Sequence, residues 1–513
     1  MKKNIISVFI LMIFSSICFA QVVNGDTLTV DGKKILKVWG THYERGYAHG
    51  YLLGENIKEI YEEYIIGFFF GNNAILYASC RDFFIQSFGV EDKYHDEAEG
   101  VIDGIQNSGI SLYSSVLNRD LDEIDVLVAN SLVDFVALIS NQTGIWFGCS
   151  SLSSWGQNTI QDPDLNGQLV ITRNMDWMPH PTLLENHLLI VQFPSEPEEI
   201  NWLSFTFPGM IGALSAVNEE NLSAFMNMGN NNSYPNQELL HPIFLSIRNG
   251  IEANDYNGDS QIDPYDITDA ISDKYQLSGS IVHSTDESSG IVVECNNENG
   301  VEIRDDSDNT IIPEEHLAAT NHFRKLYSPL YCNRYANISD SLNTNSLMNV
   351  ERSWNLLGGA AGLSHNLHTI EFAPTLNLIK WSTAQLGIPA YQLEPTVFDL
   401  QELFTLNVSA YPDFQQQFSI VSSYPNPFYS STTISFCVAQ TIPFVNLEIY
   451  NIKGQKIKTL ECGKSLSTIA DGVSYSIIWN GTDNNGNSVV SGVYLYRFKT
   501  EYKNEYGKLI LLR

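Results

Sequence analysis

The sequence predicts an α+β protein, a layered sandwich of antiparallel strands and helices followed by a separate small all-β sandwich. Three observations lead there. Helix-period stretches dominate up to residue 148, and from Cys149 the texture changes to short alternating strands broken by Gly, Pro and Asn, with helices further on. From Ile420 the charge balance reverses, with nine Lys or Arg against six Asp or Glu in a chain whose net charge is −31. At 513 residues the chain is too long for one ordinary domain, and 43% hydrophobic with 17% charged residues mark it as folded. Such acidity argues against nucleic acid or an anionic membrane as partner, because phosphate binding needs clustered Lys and Arg.

Taken in order, residues 1–20 read as a secretory signal: Lys2 and Lys3, the apolar run Ile5 to Phe14, then small residues ending at Ala20. That run is too short for a transmembrane anchor, so the protein is expected to be exported, with no transmembrane segment. Residues 21–148 form the first part of the catalytic unit. VDGKKILKVWG reads as a strand, and HYERGYAHGYLLGENIKEIYEEY places Gly46, Gly50, Leu53, Ile57, Ile60 and Tyr64 at helical spacing. Two glycines one turn apart let that helix approach a neighbour closely. Further helical stretches, GVIDGIQNSGI and DLDEIDVLVANSLVDFVAL, follow before Gly148.

The chemistry centres on Gly148-Cys149, in GCSSLSSWG, and on the strand-like LVITRNMDW that carries Arg173 and Asp176. A cysteine freed as a chain terminus has a thiol nucleophile and an α-amine on one residue, and the amine titrates near ~8, so it can act as the local base. Free cysteine is usually a small buried packer, but a neighbouring Arg can hold a thiolate and an Asp can orient the amine. Strands CSSLSSW, QLVITRN, HLLIVQF, WLSFTF, GALSAVN and LSAFMNM follow in quick succession.

Gly148-Cys149 followed by Arg173-Asn174-Met175-Asp176 resembles the N-terminal-nucleophile (Ntn) hydrolases of the penicillin acyltransferase (peptidase C45) and choloylglycine hydrolase group. The resemblance implies self-cleavage between Gly148 and Cys149 and a four-layer αββα sandwich, with residues 21–148 as the small chain and 149–410 as the nucleophile-bearing chain. It implies a small acyl-amide substrate, a thioester on Cys149, and no cofactor for catalysis. Ala216-Val217-Asn218-Glu219 is similar to the family turn whose asparagine helps form an oxyanion hole. Thr320-Asn321-His322 is similar to the family's threonine-asparagine step, and Arg334 to an arginine that follows on a helix. On the residues alone, the preferred reading of Asn218 is a hairpin-turn asparagine. Two rivals stand beside this scheme: a Cys149–His322 thiol hydrolase without self-cleavage, and a calcium-stabilised surface binding protein on an inactive scaffold.

DYNGDSQIDPYD, between two helical stretches, sets oxygen donors at Asp255, Asn257, Asp259, Gln261 (by its carbonyl), Asp263 and Asp266 in the spacing of a calcium loop. Ser260 stands where the turn glycine is usual. The loop resembles that of a dockerin repeat and predicts a structural Ca²⁺ rather than a catalytic metal. His365 and His368 fall in a strand-like segment and are assigned no metal. Of the cysteines, Cys437 and Cys462 could pair, while Cys80, Cys295 and Cys332 read as buried thiols. The tail, residues 420–513, alternates short strands with Asn-Gly and Asp-Asn turns, the pattern of a small Ig-like β-sandwich. It resembles the sorting domain of the type IX secretion route, which implies that machinery as a partner and the outer-membrane surface of a Gram-negative Bacteroidetes-type bacterium, or its surroundings, as the location.

Overall fold

Two antiparallel sheets lie face to face with helices outside them, and their contact places the candidate nucleophile. The computed structural model describes residues 23–143, 148–232, 238–361, 365–406, 419–438, 446–451, 453, 455–461, 467–469, 472–484, 486–499 and 504–512. The expected signal segment lies outside these residues. The chain divides into one unit ending at Thr405 and a second from Leu406 to Arg513.

The first unit opens with β1 (Gly25–Val30), β2 (Lys33–Gly40) and α1 (His42–Glu59), then a π-helix (Ile60–Phe69), α2 (Ala74–Ser87), α3 (Asp92–Asn107), the short pair β3 (Tyr113–Ser114) and β4 (Arg119–Asp120), α4 (Glu123–Ala129) and α5 (Leu132–Thr143). Thr41 starts α1 with a capping box to Glu44, which satisfies two of the first turn's free N–H groups. The glycine spacing in α1 does what its pattern predicts. A Cβ on Gly46 would lie 2.0 Å from the Glu97 carbonyl oxygen, and one on Gly50 would lie 2.0 Å from that of Val101; on α3, Gly100 and Gly104 face Tyr43 and Tyr47 just as closely.

Next come β5 (Gly148–Ser154), β6 (Val170–Asp176), α6 (Pro181–Glu185), β7 (Leu188–Pro194), β8 (Trp202–Thr206), β9 (Ser215–Asn218), β10 (Ser223–Asn232), α7 (Ile243–Glu252), α8 (Pro264–Ser272), β11 (Ser278–Thr285), β12 (Gly290–Asn296), β13 (Gly300–Arg304), β14 (His316–Ala319), α9 (Asn333–Thr344), α10 (Val350–Ala361), β15 (Asn366–Ala373), β16 (Leu378–Thr383), β17 (Thr396–Asp399) and α11 (Leu400–Leu403). One sheet has nine strands in the order β1-β2-β7-β8-β9-β10-β11-β12-β13, and the other has six, β14-β5-β6-β15-β16-β17. Among the described strands of the two sheets, only β2 and β7 pair in parallel. Helices α1, α5, α7 and α8 pack on the larger sheet, and α9 and α10 on the smaller, which gives the expected αββα layering.

Strand β5 is buried along its whole length although five of its seven residues are glycine or serine. Small side chains let the sheets approach, and two of the hydroxyls they bring pair across the gap: Ser151 and Ser153 Oγ lie 2.8 and 2.9 Å from the two ring nitrogens of His283. Burial lowers the pKa of His283 to about 3, so the ring stays neutral. On the other face of the smaller sheet Leu152, Val170, Ile338 and Leu357 join a separate apolar cluster.

The second unit contains β18 (Ser419–Tyr424), β19 (Thr432–Val438), β20 (Asn446–Asn451), β21 (Lys456–Glu461), β22 (Ser467–Ile469), β23 (Gly472–Trp479), β24 (Gly492–Lys499) and β25 (Asn504–Leu511). They form two four-stranded sheets, β18-β19-β23-β22 and β21-β20-β24-β25, around Phe428, Ile434, Trp479 and Leu509. This is the all-β Ig-like sandwich expected of the tail.

Candidate active site

Cys149 is the second residue of β5 and 6% exposed. The ladder between β5 and β6 sets Gly148 opposite Asp176, Cys149 opposite Met175 and Ser151 opposite Arg173. Alternate residues share a face, so Cys149 and Arg173 project to the same side of the sheet.

Around this strand end the polar groups close into one network. The backbone N–H of Cys149 donates to Asn321 Oδ1 at 2.7 Å. Arg334, in the first turn of α9, donates to that same oxygen from Nη2 at 2.5 Å and from Nη1 to the Cys149 carbonyl oxygen. Asn321 Nδ2 donates to the Met228 carbonyl at 2.8 Å, and Arg173 Nη2 to the Met226 carbonyl at 2.5 Å. Strand β10 therefore braces both residues. Arg334 Nη1 also stands 3.7 Å from the Asp176 carboxylate.

The electrostatics follow from burial. Removal from water pushes the Cys149 thiol pKa up, and the Arg173 guanidinium pulls against it. Burial raises Asp176 to about 7 against the pull of Arg334, which leaves a carboxyl that can hold or release a proton near neutrality.

Five of the six expected catalytic residues, Cys149, Arg173, Asp176, Asn321 and Arg334, thus come together. Asn218 does not. Its carboxamide closes the β9–β10 turn, accepting from the N–H groups of Glu220 and Leu222 at 3.1 and 3.0 Å and donating to the Ile251 carbonyl at 3.1 Å. The side chain expected to donate to an oxyanion is thus held in the turn, its oxygen spent on two backbone N–H groups and one of its N–H donors on the Ile251 carbonyl. The buried amide with unspent groups is Asn227, between Met226 and Met228, where neither end of the carboxamide has a partner. Its sequence signal is a lone amide in the apolar strand LSAFMNM. His322 shares no hydrogen bond with Cys149 among the described residues, so the Cys-His pairing is not formed. His368, buried in β15, instead places Nε2 3.3 Å from Arg173 Nη1.

Beside Cys149 and Arg173 lies an apolar cavity of about 60 Å³ walled by Ile60 and Tyr64 of the π-helix, Leu132 of α5, Trp177, Phe207 and Phe244. Four of the chain's eight methionines, Met175, Met210, Met226 and Met228, also line it.

In the predicted calcium loop Asp255 Oδ1 accepts from the N–H groups of Gly258 and Asp259, and Asp266 Oδ1 from those of Tyr256 and Asn257. Asn257 and Asp259 accept from the N–H groups of Asp259 and Gln261, and Asp263 caps α8. Ser260 takes the left-handed conformation, φ 70°, that the usual glycine adopts. Its acids do not bring three ligand atoms within 4.8 Å of one another; among the described residues only His42, Glu199 and Glu252 do. There Lys93 Nζ already bridges Glu199 at 3.0 Å and Glu252 at 2.7 Å, so an ammonium fills the seat of a metal. Cys80, Cys295 and Cys332 are buried free thiols, as expected. Cys462, and with it the expected Cys437–Cys462 pairing, lies outside the described residues.

Parts of the chain are similar to solved structures. Two particular relatives are the Caenorhabditis elegans ortholog of N-acylethanolamine-hydrolyzing acid amidase (13% identity, 49% of this chain and 100% of that one, TM-score 0.33) and the conjugated bile acid hydrolase of Clostridium perfringens (11% identity, 49% and 93%, TM-score 0.32). Latent PorU of Porphyromonas gingivalis is similar over 28% of this chain and 12% of its own, at 18% identity and TM-score 0.17. Residues 428–505 match the family model of the FlgD Ig-like domain. An uncharacterized protein of Archaeoglobus fulgidus is 22% identical over 209 residues, 39% of this chain, and the chain spans about a third (33%) of that relative's length.

Proposed function

We propose that the protein is an exported, self-processing cysteine amidohydrolase of the peptidase C45-like Ntn type. The observation that carries this reading is the Cys149 backbone N–H donating to Asn321 Oδ1 while Arg334 donates to that oxygen and to the Cys149 carbonyl, with Arg173 and Asp176 flanking the same strand end.

In the intact chain no α-amine exists at Cys149, so self-cleavage needs another base. Asp176, with its pKa near 7, takes the thiol proton as Cys149 Sγ attacks the Gly148 carbonyl carbon. The Gly148–Cys149 amide bond breaks as the thioester forms, with the proton passing to the departing nitrogen. Water then hydrolyses the thioester and leaves a free Cys149 amine beside Asn321 Oδ1. In turnover that amine accepts the thiol proton, Sγ attacks the substrate's amide carbon, the protonated leaving amine departs, and water releases the acid. Asn321 Nδ2 is the amide donor beside Cys149 available to the tetrahedral oxyanion, worth roughly 3–4 kcal/mol in such a role. The apolar cavity takes the acyl side. It is smaller than the ~150 Å³ that accommodates benzene, so the flexible methionine walls must shift to admit an acyl group. Away from cellular acyl thioesters, hydrolysis is favoured over acyl transfer.

A structural Ca²⁺ in the 255–266 loop and type IX export through the tail complete the proposal. The loop offers only hard oxygen donors, which suit calcium, and the ion would tie α7 to α8. The test is intact mass and N-terminal sequencing of wild type and Cys149→Ala. Two chains, the larger starting at Cys149, in wild type alone support the reading; an efficiently cut Cys149→Ala protein, or an uncut wild type, overturns it.

A further inference from the structure

We infer that the acyl pocket recognises one hydrogen-bond acceptor within an otherwise apolar acyl chain, and that the Tyr64 hydroxyl is the group that reads it. The inference rests on the amidohydrolase reading of Cys149 and adds a substrate class to it.

Three observations meet at Tyr64. It sits on a ten-residue π-helix, with the Phe70 N–H reaching the Ile65 carbonyl at 3.0 Å, five residues back. Such wide turns are rare and frequent at functional sites, because they redirect side chains that an α-helix would place elsewhere. Tyr64 also supplies the only hydroxyl among the cavity-lining residues, whose remaining side chains are apolar apart from Cys149, Arg173 and the Trp177 indole. Its hydrogen bonding, finally, is half complete. The Trp177 indole N–H donates to the Tyr64 oxygen, but the phenolic proton has no acceptor among the described residues. Tyr64 is 4% exposed, and burial holds its pKa far above ordinary tyrosine, so that proton stays on the oxygen. A buried donor left unspent in an apolar pocket favours a ligand that brings an acceptor. Trp177, which fixes the oxygen, directly follows Asp176, so the donor is tied to the strand that carries the reacting groups.

The experiment uses the processed enzyme and N-acyl amides of 7-amino-4-methylcoumarin. An all-carbon alkanoyl chain is compared with isosteres in which one methylene at a time is replaced by an ether oxygen. The expected result is one oxygen position preferred over its neighbours by about fivefold to tenfold in kcat/KM, with that preference lost in Tyr64→Phe. Equal rates at every position, or a preference that survives in Tyr64→Phe, overturn the inference while leaving the amidohydrolase reading intact. Calorimetric binding of the free oxa-acids separates the two claims. A position-dependent, Tyr64-dependent affinity without cleavage of any amide upholds the recognition role and overturns the hydrolase.

Discussion

Asn321 Oδ1 lies 2.7 Å from the backbone nitrogen of Cys149, and Arg334 donates to the same oxygen. Asn321 therefore reaches Cys149 from a position 172 residues away, at the end of the strand that flanks β5. Asn321→Ala is expected to slow self-cleavage and amide hydrolysis by ~10²–10³-fold, the loss typical of one oxyanion donor. Asn218→Ala, by contrast, should lower stability and leave kcat on a coumarin amide within about twofold. Rates of chain scission by gel and of coumarin release check both; a large kcat loss in Asn218→Ala would contradict the turn role.

Asp176 makes stability depend on pH with a definite sign. Its folded pKa of about 7 exceeds the ~3.9 of an exposed carboxyl, so between those values the folded chain holds a proton that the unfolded chain has lost. Stability from this group is complete below pH ~4 and falls as pH rises through 7. In the uncut Cys149→Ala background, Asp176→Asn should remove that fall and gain on its parent by a few kcal/mol between pH 5 and 8. Urea unfolding of the pair at several pH values checks it, and a pH-independent difference would sink the assignment.

Calcium should bind the 255–266 loop and raise Tm. At a hundredfold excess over Kd the gain is about 2.7 kcal/mol. Scanning calorimetry of chelator-treated protein with and without Ca²⁺ should show the rise, and Asp255→Ala should abolish it.

Gly50→Ala places a methyl 2.0 Å from the Val101 carbonyl oxygen, a backbone atom that can yield only by parting α1 from α3. The expected loss is ~1–3 kcal/mol or more, because overpacking in a closed contact strains both elements. Denaturant midpoints check it.

What the sequence made legible is what depends on short-range pattern. The alternation of β5, β6 and β7, the glycine face of α1 and the adjacency of Cys149 to Arg173 and Asp176 all follow from periods of two or four residues. Asn218 shows the limit: its turn motif reads the same whether the carboxamide serves a substrate or its own hairpin, and its bond to the Ile251 carbonyl, 33 residues on, lies beyond short-range pattern. The π-helix was equally silent. Its run Ile60–Phe69 has helical texture, and its bonds to Gly209 and Trp177 are contacts of long sequence separation.

Gly148 is hydrogen-bonded into a ladder rather than displayed on a loop. A foreign protease needs an extended, accessible stretch of backbone, and this bond offers none. In the proposed scheme maturation therefore reports on assembly: β14, Asn321 and Arg334 are made long after Cys149, so the cut waits until the later half of the unit has been synthesised and docked. A chain that misfolds beyond residue 300 stays whole and silent, and the break itself becomes a built-in certificate that the enzyme is finished.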